Sequence, residues 1–249
     1  MQANKIYQGN CLEVMKDIED GSVDMILCDL PYGTTNAKWD AVIPFDALWE
    51  QYRRVIKPNG AIVLTGMEPF SSKLRLSNPE WYRYDWIWDK IAPTGFLNAK
   101  RQPLRVTETV SVFYRKQPAY HPQMTHDHER KVSVRRRTAH KGCEIYNDFA
   151  TDCSYDSTDR YPINLISFSM DKQKTHLHPT QKPVALFEYL IRTYSEEGEL
   201  VLDNCIGSGT TAVAAINTGR QYIGIEMNEG FARIAMERAE EARKAKENR

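Results

Sequence analysis

The 249-residue sequence predicts an α/β fold built on a mostly parallel sheet. Three observations carry that expectation. The apolar run Val23 to Cys28 gives out abruptly into Asp29-Leu30-Pro31-Tyr32-Gly33, as a strand buried on both faces does at its carboxyl end. A second short strand, Glu199 to Asp203, runs into a glycine-rich turn around Gly207-Ser208-Gly209 that opens a helix. Between such runs lie segments with apolar residues at helical spacing, so strands and helices alternate along the chain.

Composition bounds the rest. Hydrophobic residues make up 41% and charged residues 27%, enough for a packed core and too apolar for a disordered chain. A formal net charge of zero excludes a uniformly basic protein but leaves room for a local basic face. No run approaches the roughly 18 apolar residues of a membrane span, and Met1-Gln2-Ala3-Asn4-Lys5 begins no signal peptide. Cys11, Cys28, Cys143, Cys153 and Cys205 are odd in number and scattered, as expected for reduced thiols in a cytoplasmic protein.

Taken in order, Lys5 to Gly9 is extended and Cys11 to Ile18 a helix with Leu12, Met15 and Ile18 on one side. Phe45 to Ile56 is an amphipathic helix, stopped by Lys57-Pro58-Asn59-Gly60. Ala61 to Leu64 is a buried strand, Glu68 to Leu76 a helix, and Tyr84 to Trp88 and Val106 to Tyr114 are strands. From Arg115 to Lys141 the composition changes. Arg115, Lys116, Arg130, Lys131, Arg135, Arg136, Arg137 and Lys141 face only Asp127 and Glu129, and no hydrophobic period survives. A structureless loop of that length is improbable inside a compact fold, so 116–174 reads as an inserted subdomain between 1–115 and 175–249. Beyond it, Pro183 to Tyr194 is a helix, Gln221 to Glu226 a strand, and Asn228 caps a last helix.

Two stretches carry chemistry. Asp29 to Tyr32 places an acid, a proline and an aromatic at the carboxyl end of a strand, where parallel α/β sheets bind ligands. By itself it also reads as an ordinary turn. Gly207, Gly209 and Ala212 fit the pattern G-x-G-x-x-A, and Glu226, nineteen residues beyond Gly207, ends the next strand where an acid takes ribose hydroxyls. That half predicts a nucleoside-containing cofactor on a Rossmann-like sheet, without choosing between a nicotinamide dinucleotide and S-adenosylmethionine. His126, His128, His140, Cys143 and Cys153 lack the paired spacing of a zinc site, so no metal is expected.

Both halves together resemble a known family. Asp29-Leu30-Pro31-Tyr32 is similar to the D-P-P-Y motif of DNA amino-methyltransferases, which methylate the exocyclic amine of adenine or cytosine. Asp203 to Thr211 resembles their cofactor motif, D-P-F-x-G-S-G-T-T, and His178-Pro179-Thr180-Gln181-Lys182-Pro183 resembles the segment before it. Trp86-Ile87-Trp88-Asp89-Lys90 and Asn98-Ala99-Lys100-Arg101 resemble the middle motifs. The order, catalytic motif first and cofactor motif last, is that of the permuted β-type members. Leu30 departs from the family's proline, Asn204-Cys205 from its Pro-Phe, and Asn10 stands where an aspartate often meets the cofactor's adenine.

The resemblance implies a methyltransferase domain around an inserted target-recognition region, acting on double-stranded DNA with S-adenosylmethionine as cofactor. Asp29, Leu30, Pro31 and Tyr32 would be catalytic, on a base flipped out of the duplex. Asn10, Cys11, Asp29, Thr180, Lys182, Asp203, Cys205, Gly207, Ser208, Gly209, Thr210, Thr211 and Glu226 would meet the cofactor. Lys100, Arg101, Arg130, Lys131, Arg135, Arg136 and Arg137 would meet DNA, as basic side chains on phosphates do. The aspartate-led motif associates with adenine N6, cytosine N4 being the alternative, and many β-type relatives form homodimers. Other readings are an RNA or protein-glutamine methyltransferase, a nicotinamide-dependent oxidoreductase, and a catalytically silent nucleic-acid binder.

Overall fold

In the computed structural model, which describes residues 1–35, 40–135, 153–170 and 181–248, the run Val23–Cys28 forms strand β2 at the centre of an eight-stranded sheet. Its apolar side chains are fully buried because both faces of the sheet are covered. Met25 and Leu27 point into one apolar layer, Ile26 and Cys28 into the other, the alternation that a pleated strand imposes.

The chain before it contributes β1 (Lys5–Gln8) and a short helix α1 (Cys11–Val14), which tightens into a 3-10 turn at Met15–Asp17. The helix expected over Cys11 to Ile18 is therefore one turn of α-helix and one of the tighter form. After β2 come α2 (Phe45–Val55), β3 (Ile56–Gly66), α3 (Phe70–Ser77), β4 (Tyr82–Thr94) and β5 (Arg105–Phe113). The stop signal at Lys57-Pro58-Asn59-Gly60 ends α2 but lies inside β3. The pairing with β2 jumps from Val23–Ile56 to Met25–Ala61, so these residues form a bulge rather than a loop. Then follow β6 (Lys131–Arg135), β7 (Cys153–Ser157) and β8 (Leu165–Ser167). The last part holds α4 (Val184–Tyr194), β9 (Leu200–Asp203), α5 (Thr210–Asn217), β10 (Gln221–Glu226) and α6 (Glu229–Glu247).

Strand order in the sheet is β1-β10-β9-β2-β3-β5-β4-β8. Pairings from β1 to β3 are all parallel, β5 is antiparallel to β3 and to β4, and β8 is parallel to β4. From β2 the chain crosses through α2 to β3 on one side, and from β9 through α5 to β10 on the other. The order thus reverses between β9 and β2, and a crevice opens there beyond the carboxyl ends. Because like-handed crossovers in opposite directions cover opposite faces, α2 and α3 pack on one apolar layer and α4, α5 and α6 on the other. No described helix is long and apolar enough to cross a membrane.

The chain divides into two units, Met1–His121 with Asn164–Arg249, and Pro122–Ile163. The second unit contains the antiparallel pair of strands β6 and β7 and is narrower than the 116–174 expected from composition. On one side, His121 donates its backbone N–H to Thr193 O at 2.8 Å, tying the approach to the first unit. On the other, β8 is a strand of the main sheet. Three residues are too short a run to show strand alternation, so composition could not reveal it.

Gly209 shows how closely the layers meet. It has φ +89°, and a methyl there would lie 2.8 Å from Ala235 Cα on α6. Gly209→Ala combines left-handed strain with a clash against backbone, and should lower stability by about 3 kcal/mol in urea unfolding.

Candidate functional site

The reversal between β9 and β2 sets Asp203, the last residue of β9, beside Asp29, the first after β2. Their neighbourhood is a cavity of about 570 Å3 lined from both halves of the chain. Asp29, Leu30, Pro31 and Tyr32 line it, as do Lys182, Asp203, Cys205, Gly207, Ser208, Thr210, Thr211 and Glu226.

Asp29 is held at one oxygen. Its Oδ1 accepts a hydrogen bond from Tyr32 Oη at 2.6 Å and another, short one from Thr65 Oγ1, and lies 3.1 Å from Lys182 Nζ. Among the described residues no hydrogen bond reaches Oδ2. Thr65 comes from β3, the strand beside β2, which explains why a distant threonine meets the motif. Tyr32 packs its ring 5.0 Å from Phe70, and Lys182 Nζ stands 5.3 Å from its centroid. Burial and the Asp29 carboxylate raise the Tyr32 pKa well above the ordinary phenol range, so it stays a donor.

Lys182 lies only 7% exposed. Besides Asp29 it meets Glu108 Oε2 at 2.9 Å, and Lys90 Nζ donates to Glu108 Oε1 at 3.3 Å. Burial alone would lower the Lys182 pKa, but Asp29, Tyr32 and Glu108 raise it well above a free lysine's. Burial likewise opposes the charge on Glu108, yet Lys182 and Lys90 bring its pKa below the ordinary value. Both groups are therefore ionised near neutrality.

The loop after Tyr32 is pinned by Asp40, whose Oδ1 takes Gly33 N–H at 2.8 Å and whose Oδ2 takes those of Thr34 and Thr35 at 2.9 and 2.7 Å. Burial would raise the Asp40 pKa, but these bonds bring it below normal.

On the opposite wall the turn after β9 is held from beneath. Asp203 accepts Cys205 N–H at 3.0 Å and a short hydrogen bond from Thr211 Oγ1, and burial raises its pKa to about 7. Thr210 Oγ1 donates to Lys182 O at 3.3 Å, and Arg238 donates to Ser208 O and Oγ at 2.6 and 3.0 Å. Gly207 has φ +52°, and a Cβ there would meet nothing closer than 4.0 Å, so the missing side chain leaves open space. Glu226 Oε2 accepts Gly207 N–H at 2.9 Å, and its Oε1 accepts Asn228 N–H at 2.8 Å. The carboxylate is fixed while its remaining lone pairs stay available.

Other residues singled out by the sequence stand elsewhere. Asn10 caps α1, accepting Leu12 N–H at 3.0 Å, and neither it nor Cys11 lines the cavity. The Cys205 hydrogen bond and burial push the Cys11 thiol up, and burial pushes up Cys28, so both remain neutral. Gly209 packs against α6 instead of facing the cavity. Lys100 and Arg101 are exposed between β4 and β5. Arg130 holds Asp156 through two 2.7 Å hydrogen bonds, while Lys131 begins and Arg135 ends β6. Thr180, Arg136 and Arg137 lie outside the described residues. Sequence reasoning missed Thr65, Lys90, Glu108 and Asp40. Lys90 and Glu108 fell within stretches already noted, but nothing in their spacing signalled that two lysines and an acid would meet. Among the described residues, no group of His, Cys, Asp and Glu could hold a metal ion.

Comparison with known proteins fits this geometry. The chain is 26% identical over 244 residues to the type II methyltransferase M.HpaI of Haemophilus parainfluenzae, covering 94% of this chain and 73% of that one. Its fold matches M1.HpyAVI in complex with SAM with a TM-score of 0.61 and 24% identity, over 94% of this chain and 98% of that one. It matches the PvuII DNA methyltransferase, which is cytosine-N4-specific, with a TM-score of 0.66 and 16% identity, over 98% and 92%. At those identities the two structures speak to the fold alone. Residues 23–237, most of the chain, match the family described as DNA methylase, and the protein belongs to these S-adenosylmethionine-dependent N6/N4 DNA methyltransferases.

Proposed function

We propose that this chain methylates the exocyclic N6 of a flipped adenine at specific sites in double-stranded DNA, with Asp29 as the acceptor of the amine's N–H. The observation that carries the reading is the asymmetry of Asp29. Oδ1 is occupied by Tyr32, Thr65 and Lys182, and no hydrogen bond reaches Oδ2 among the described residues. A carboxylate held this way is pre-aimed and need not reorganise as charge develops on the nitrogen.

An adenine amine is a weak nucleophile because its lone pair is conjugated with the ring. If Asp29 Oδ2 and the Leu30 carbonyl each accept one N–H, they favour pyramidalisation and stabilise the positive charge forming on nitrogen. Tyr32 and Pro31 supply apolar wall for a base that has lost its stacking partners. S-adenosylmethionine supplies a methyl group on a positively charged sulfur. The residues fit that cofactor: Gly207 leaves room at the turn, and Glu226 offers a fixed carboxylate to two ribose hydroxyls. The basic stretch from Arg130 to Lys141 in the second unit would take up DNA phosphates, as would Lys100 and Arg101 of the first unit. Adenine is preferred over cytosine because the motif opens with aspartate, and a type II modification role follows the relatives' printed names.

Incubation with unmethylated plasmid and S-adenosylmethionine, followed by nucleoside mass spectrometry, should yield N6-methyladenine. Asp29→Asn should lose turnover at saturating S-adenosylmethionine by about 100-fold or more, since the amide also presents a donor. N4-methylcytosine would overturn the base assignment, and an unimpaired Asp29→Asn would remove the proposed role of the carboxylate.

Glu108→Gln leaves Lys182 and Lys90 buried with one carboxylate fewer. The variant should lose about 3 kcal/mol of stability in urea unfolding at pH 7. Because the Glu108 pKa is lowered on folding, this contribution is complete above the unfolded value of about 4.3 and is lost as the pH falls through the folded value. The stability gap between wild type and variant should therefore narrow in acid.

A further inference from the structure

The connection between β4 and β5 rises from the rim of the cavity and ends in an apolar tip. At its root, Lys90 and Thr94 line the cavity, joined by a 3.2 Å hydrogen bond, and Thr94 Oγ1 donates to Arg105 O across the two strands at 3.2 Å. Gly95 turns the chain with φ +91°, and no atom lies within 4 Å of where its Cβ would be. Phe96–Asn98 then form one 3-10 turn. Phe96 is 81% exposed and Leu97 99% exposed. Ile91 and Leu104 on the same excursion are exposed too.

Single exposed leucines need no explanation, but adjacent bulky side chains at the summit of one loop do. The loop is not an unformed segment. Asn98 N–H reaches Gly95 O at 2.9 Å, Ala99 N–H reaches Phe96 O at 3.0 Å, and Arg101 N–H reaches Asn98 O at 2.8 Å. Ile91, a β-branched residue, is held at φ +66° where the β4–β5 register breaks, with its N–H on Asp89 Oδ1 at 2.8 Å. A β-branched side chain in the left-handed region carries strain, and such strain collects in functional segments.

We infer that Phe96 and Leu97 form a wedge that enters the base stack of DNA beside the nucleotide whose base occupies the cavity. The inference rests on the proposed reaction and adds the element that opens the duplex. Geometry confines the occupant. Phe96 is two residues from Thr94, so it stands within about 7 Å of chain from the cavity rim, a reach of roughly two base steps. The loop carries Lys100 and Arg101, both exposed, which suits a polyanion flanking the apolar tip. Extruding a base leaves an unstacked gap, and apolar side chains inserted at a base step offset that loss. A ring and a branched aliphatic, presented together on a preformed turn, suit that gap.

The test uses the full-length protein and a duplex bearing the site that wild type methylates in plasmid. Phe96→Ser/Leu97→Ser is compared with wild type on that duplex and on one in which the target base faces an abasic position. Because the wedge acts on opening, the variant should lose about tenfold or more in kcat/KM on the paired duplex and stay within about threefold on the abasic one. Its affinity for S-adenosylmethionine should not change. Equal rates on the paired duplex, or equal losses on both, overturn the wedge. A smaller oligomer in the variant overturns it as well, assigning the tip to protein contact. Absence of DNA methylation by wild type overturns the underlying reaction, an outcome the variant comparison cannot imitate.

Discussion

Lys182 carries its charge with 7% of its surface exposed, tolerable only because Asp29 and Glu108 stand 3.1 and 2.9 Å from its Nζ. An ammonium buried without such partners costs several kcal/mol. The three residues come from the segment before α4, the position just after β2 and the strand β5, so one electrostatic cluster joins distant parts of the chain. It also divides the labour on Asp29. With Oδ1 committed to Lys182, Tyr32 and Thr65, the other oxygen is the one left for a ligand.

The backbone arrangement that permits this follows from the sheet. Crossovers leaving β2 and β9 in opposite directions place two carboxyl ends side by side without a helix between them. One end presents Asp29, the other the Gly207 turn and, one strand further, Glu226. An acid for an amine and a cradle for a nucleoside thus share a cavity although 174 positions separate Asp29 from Asp203 in sequence.

Much of this was legible before any coordinates. Val23–Cys28 announced itself because a strand buried on both faces must be apolar throughout, and Asn228 because an amide before a helix has a defined capping bond. Gly207 was legible because a positive φ in an open turn leaves few alternatives. Contacts set by tertiary packing were not. Thr65 lies in a strand whose pattern signals only burial, and Glu108 and Lys90 become a pair only once β4 and β5 are antiparallel neighbours. The cap that the Asn10 side chain gives α1 was likewise not foreseen. The second unit, Pro122–Ile163, is narrower than 116–174 because β8 is three residues long and owes its place to β4.

A crystal structure with S-adenosylhomocysteine would test the central claim most directly, that the two carboxyl ends serve one reaction. The account predicts ribose hydroxyls hydrogen-bonded to Glu226, the chain at Gly207 against the amino-acid part, and the sulfur facing Asp29 across the cavity. A nucleoside bound away from Glu226, or a sulfur turned away from Asp29, would contradict it.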